Sequence, residues 1–92
     1  MPAVVRLGDM CSGHANAPPR ANTSASTDVF VDGKGVHRVG DSWGPHGIPP
    51  HTSTQSSGSS TVIVNGKGVA RVGDSIACGS TNAQGSSTVF AG

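Results

Sequence analysis

The most constraining feature of this sequence is self-similarity. Residues 28–41, DVFVDGKGVHRVGD, recur at 61–74 as TVIVNGKGVARVGD. The second half of that segment occurs once more near the start, as Val4-Val5-Arg6-Leu7-Gly8-Asp9. The first half occurs once more near the end, where GSSTVF at 85–90 copies GSSTVI at 58–63. The chain therefore holds two full units and a third divided between its two ends. A repeat that cannot bury a face alone gains stability by packing against its own copies.

Each full unit reads as a hairpin. Val29-Phe30-Val31 and Val62-Ile63-Val64 are short β-prone runs, followed by Asp32-Gly33 and Asn65-Gly66. Those dipeptides accept the left-handed dihedrals of tight hairpin turns. Return strands are expected over 36–39 and 69–72, ended by Gly40-Asp41 and Gly73-Asp74. No apolar set recurs at helical spacing. Pairing of the first strand beside the last would close the sheet and hide its edges. The expected architecture is all-β, one domain over 1–92. Three β-hairpin repeats surround a pseudo-threefold axis, with long Gly/Ser-rich loops gathered at one end.

Those loops, 10–27, 42–60 and 75–87, carry the candidate chemistry. His14 and His46 each lie five residues after their Gly-Asp aspartate, and Cys78 lies four after its own. Repetition puts these three in equivalent places, and His51 is available as a fourth donor. Four His and Cys ligands suit a closed, structural zinc site. Cys11 is an alternative ligand to His51 or Cys78, or a small apolar packing residue. His37 falls where the other copies have Val5 and Ala70, which favours a structural or surface role over ligation. Trp43 is expected to pack under the second loop.

Composition supplies the need for a metal. With three aromatic residues, 14 glycines and a hydrophobic fraction of 34%, the chain is poor in core material. Ordering long loops costs about 1–2 kcal/mol per residue, whereas structural zinc offers about 10–16 kcal/mol. Six Lys and Arg against five Asp, with no basic run, give nucleic-acid binding no support. No secretory signal or membrane span is legible, so synthesis in the cytoplasm is expected. Arg6, Arg38 and Arg71, with Asp9, Asp41 and Asp74, repeat in every unit. Threefold copies suit turn bonding and surface pairing rather than an asymmetric catalytic cluster. The chain contains no Glu, and no hydrolase or phosphate-loop motif is present. No enzymatic activity is expected.

The segments VVRLGD at 4–9, VHRVGD at 36–41 and VARVGD at 69–74, with the NGKG turn at 65–68, resemble the PAAR-repeat family. Two departures stand out: Gly35 and Gly68 replace the family's proline, and His37 replaces an alanine. The resemblance implies a cone with one structural Zn2+ near its vertex, held by three histidines and a cysteine. His14, His46, His51 and Cys78 fit that rule. It implies a broad base seated on a trimeric VgrG-like spike, one chain per trimer, in a type VI secretion system or phage tail. It further implies membrane puncture and delivery outside the cell at the spike tip. No fused effector is expected, although cargo could be recruited non-covalently. The competing readings are a small zinc-dependent enzyme, a free-standing zinc-binding interaction module and a disordered Gly/Ser-rich segment.

Overall fold

The computed structural model describes residues 1–13, 18–46 and 51–92, and for His46 and His51 the backbone alone. The described residues form no helix. Six short strands make three separate antiparallel hairpins: β1 Phe30–Val31 with β2 Lys34–Gly35, β3 Ser42–His46 with β4 His51–Thr54, and β5 Ile63–Val64 with β6 Lys67–Gly68.

The first and third hairpins turn as their sequences require. Asp32 and Asn65 both have φ 54°, and Gly33 and Gly66 follow at 78° and 76°. Two consecutive left-handed residues match the right-handed twist of the flanking strands. Phe30 faces Gly35 and Ile63 faces Gly68. The chain ends complete the set: Ala3 bridges Phe90, and the Ala91 N–H bonds the Pro2 carbonyl at 3.0 Å. The first and last segments therefore do lie side by side.

The return strands depart from expectation. They end at Gly35 and Gly68; the Val36 and Val69 N–H groups still bond the Val29 and Val62 carbonyls at 3.0 Å, and from there the chain pairs with neighbouring units. Val4 bridges Arg71, Arg6 bridges Val36, and Arg38 bridges Val69, so every unit touches the other two. The centre is a ring of three hydrogen bonds: Val5 N–H to Ala70 carbonyl at 2.9 Å, Ala70 N–H to His37 carbonyl at 2.9 Å, and His37 N–H to Val5 carbonyl at 3.0 Å. All three residues are wholly buried. A buried amide needs a partner, and here each copy supplies the next.

Two apolar clusters adjoin this ring. Val4, Val36 and Val69 pack with Ala91, Val31 and Val64. Cys11, Trp43 and Ile76 form the second cluster. These last three each stand two residues after a repeated aspartate, so both clusters are built from equivalent positions. The core is small because each unit contributes only about one side chain per level.

Candidate metal centre

The middle loop is where the structure differs most from a loop. Trp43 is buried, and its Nε1–H donates to Gln55 Oε1 at 3.1 Å. Ser42 pairs with Thr54 and Trp43 with Ser53; the register then shifts, and His46 stands opposite His51. Gly44 and Pro45 lie in the shifted stretch, which is where a strand tolerates a proline. The Gly44 N–H bonds the Ala21 carbonyl at 3.1 Å, tying this hairpin to the first loop. Anchored by Trp43 at its foot, the hairpin carries two of the four expected ligands on facing backbone positions.

Cys78 sits in a tight turn. The Gly79 N–H bonds the Ile76 carbonyl, and the Ile76 N–H bonds the Ser80 carbonyl, both at 2.9 Å. Gly79 has φ 101°, which a side chain would resist. The turn is fastened to β4 through the Ala77 N–H and Thr54 carbonyl at 3.0 Å. Cys78 is half-buried against the Cys11, Trp43 and Ile76 cluster. On its other side, Ser80 Oγ donates to the Gly13 carbonyl at 3.2 Å, and the Ser12 N–H bonds the Thr81 carbonyl at 2.8 Å. The backbone entering His14, the turn of Cys78 and the His46–His51 hairpin are thus joined by hydrogen bonds.

His14 itself lies outside the described residues, as do the side chains of His46 and His51. Among the described residues no three His, Cys or Asp side chains gather as a metal site. The placement of the loops and the chemistry of the donors suit a His/Cys zinc set. Cys11 occupies a core position equivalent to Trp43 and Ile76, and its Sγ accepts the Arg20 N–H at 3.3 Å. No disulfide joins it to Cys78.

His37 is structural and has no surface exposure at all. Its Nδ1 is 2.9 Å from the Ser24 carbonyl, and its ring meets Trp43 edge-on at 5.1 Å between centroids. Burial chiefly pushes its imidazole below the ordinary histidine range.

The repeated arginines and aspartates close turns, but they are less superficial than surface pairing implies. Asp9 and Asp41 are buried. In each unit the Asp accepts its Arg's backbone N–H, at 2.8–2.9 Å, and both of its oxygens receive the guanidinium. A two-pronged guanidinium–carboxylate contact fixes direction as well as distance. Burial alone would raise the Asp41 carboxyl; the Arg38 side-chain and backbone bonds outweigh it and hold it below 3.8.

Two further sets escaped the sequence reading. Ser26, Ser59 and Ser86 are buried, and each Oγ accepts the N–H three residues on, from Val29, Val62 and Val89. Asn22, Gln55 and Asn82, also buried, bond the carbonyls of Asp9, Asp41 and Asp74 through their own N–H. They follow those aspartates by 13, 14 and 8 residues, but precede Val29, Val62 and Val89 by a constant seven. Counting backward from the strands would have found them.

A repeated apolar set remains exposed. Phe30, Ile63 and Phe90 are 58%, 53% and 47% accessible, and the preceding valines 37%, 40% and 38%. Near-equal exposure at equivalent positions marks a surface the fold presents three times, unlike isolated apolar residues.

A search of curated proteins returns no significant match. The family model described as PAAR motif matches residues 12–83 and again 57–92. Those spans take in the loops of the candidate centre, two of the three Arg–Asp turns and most of the ring-forming strands. With the larger part of its length matched, the chain belongs to the PAAR-motif family.

Proposed function

We propose that this protein is the zinc-pinned tip that caps a trimeric VgrG-like spike of a contractile injection apparatus, sharpening it for membrane puncture. The observation that carries this reading is the closed ring of Val5, His37 and Ala70, surrounded by three copies of one exposed apolar pair. A ring in which three units relate cyclically supports the reading of a pseudo-threefold axis, which would match a trimeric partner. Phe30, Ile63 and Phe90 with their valines form the docking face. The molecule is longer than it is wide, 34 Å against 24 and 22 Å, which suits a cone standing on that face.

His14, His46, His51 and Cys78 hold the metal at the opposite end. A bound zinc there fastens the three loops and serves no reaction. Among the described residues Asp9, Asp41 and Asp74 are each paired with an arginine, which ill suits them to act as a general base.

Co-purification with a VgrG-like trimer, with zinc measured alongside, tests both halves. One zinc per chain and one chain per trimer are expected. Cys78→Ser and His51→Ala each lower zinc affinity by about tenfold or more, since even outer partners of ligands matter that much. Ile63→Asp abolishes spike binding and leaves zinc content unchanged. A well-folded, metal-free protein would refute the pinned vertex. Zinc-loaded protein that ignores the trimer would make the chain a free-standing metal module.

A further inference from the structure

His37 is the one ionisable side chain in the central ring, at a position the other two units fill with Val5 and Ala70. Its ring is held on one side only. The Ser24 carbonyl can only accept, so Nδ1 carries the proton, and Nε2 is left bare. That nitrogen is buried and has no hydrogen-bond partner among the described residues. The Gln55 side chain lies beside it, but its Nε2–H groups are given to the Ser57 and Ser75 carbonyls, and its Oε1 already accepts from Trp43. The charged groups acting on His37 are Asp41, which favours a cation, and Arg38, which opposes one. These two are paired with each other at 2.8 Å.

A neutral imidazole suits these surroundings. An imidazolium adds a second N–H that must share Gln55 Oε1 with Trp43, a contact that offsets part of the cost, and it places a charge at full burial beside Trp43. Relief requires Trp43, Gln55 or the ring to move. Trp43 anchors the hairpin of β3 and β4, and the His37 backbone is one of the three links of the ring. We propose that His37 is an acid-sensitive latch: the molecule is closed while this imidazole is neutral, and the middle unit loosens when it takes a proton.

The direction of linkage is fixed. The folded state holds His37 below its ordinary 6.5, chiefly through burial, while the unfolded chain binds the proton near that value. Stability is therefore complete above about pH 6.5 and falls as pH drops below it, until the folded value is reached. Across that window one extra proton on unfolding raises the unfolding constant about tenfold per pH unit.

The test compares zinc-loaded wild type with His37→Val and His37→Gln by chemical denaturation between pH 8 and 5. Acid effects on the zinc-binding histidines are common to all three proteins, so the difference in slope isolates His37. Wild type should lose stability more steeply than either variant, by up to about tenfold in unfolding constant per pH unit. Should His37→Val not fold, His37→Gln keeps the volume and polarity without the charge. The His37 ring is followed by NMR in the wild type in parallel. Equal slopes in all three proteins, or a His37 ring that titrates at or above 6.5 in the folded state, would overturn the proposal.

Discussion

At the scale of single residues, the units are matched to their neighbours by donor and acceptor. Asn65 Nδ2 donates to Asp28 Oδ1 at 3.0 Å, while its Oδ1 accepts from Arg38 Nη1 at 2.9 Å. The equivalent Asp32 accepts from Arg6 Nη1 at 2.9 Å and from Thr88 Oγ1 at 3.0 Å. An amide thus faces the acid at 28, and an acid faces the hydroxyl at 88. Asn65→Asp sets two carboxylates face to face, and is expected to lower stability at pH 7. The bond from Asn65 is the main reason Asp28 titrates below 3.8, so NMR should show Asp28 titrating higher in that variant. Adding Asp28→Thr recreates the Asp32 arrangement, and the double variant should exceed Asn65→Asp alone in stability. Protonation relieves the repulsion, so the single-variant penalty should shrink below about pH 4. Strictly additive effects would show that the two positions do not sense each other. None of this pairing was legible beforehand. The sequence displays Asp28 and Asn65 as parts of two separate copies, and only the fold sets one unit's turn against the next unit's strand.

Among elements, what could be read was what is local. Asp32-Gly33 and Asn65-Gly66 fold their turns through their own dihedrals, so the hairpins were visible. The β3–β4 hairpin was not, because its strands are Ser, Thr, Gly and Pro held by the distant Trp43–Gln55 contact rather than by alternation. His46 was named as a candidate ligand from its spacing and His51 as a fourth donor from the same loop, and the facing of their backbones came only with the register. Packing between units shows the same dependence on context. A Cβ on Gly58 would lie 2.8 Å from Val39 Cγ2, 2.8 Å from the Val69 carbonyl and 3.2 Å from the Gly68 carbonyl. The first unit carries Ala25 at this position, with Gly35 where Gly68 stands and Leu7 where Val39 stands. Leucine bears no second carbon on Cβ, whereas valine projects its Cγ2 into the space that Ala25 occupies. Gly58→Ala should therefore cost about 1–3 kcal/mol by denaturant unfolding. Val39→Leu in that background should recover most of the loss, because it reproduces the first unit's trio. A rescue that fails would place the strain at the two carbonyls instead.

For the whole molecule, the consequence is that the sheet system is closed although the chain is open. Residues 90–92 and 1–3 stand in the places of 30–32 and 33–35: Ala3 faces Phe90 as Gly35 faces Phe30, and Ala91 bonds Pro2 across the gap. The chain ends thus sit where the other units have their Asp-Gly or Asn-Gly turn. Gly92 already receives bonds from Ser59 and Thr61, just as Asp32 receives them from Ser86 and Thr88. A cyclic set of equivalent units has no privileged starting point, so the position of the break should be interchangeable. Joining residue 92 directly to residue 1 needs two left-handed residues at the junction, which Gly92→Asn and Met1→Gly supply. Opening the chain between Asp32 and Gly33 then moves the split from one unit to another. This permutant is expected to give a dispersed amide spectrum, and to retain the zinc stoichiometry of the parent. Arg71, which bonds Asp74 in the parent, gains a junction side chain equivalent to those that Arg6 and Arg38 bond. Failure to fold, with zinc present, would mean that the original order of the units matters, and that the ring of Val5, His37 and Ala70 depends on more than cyclic pairing.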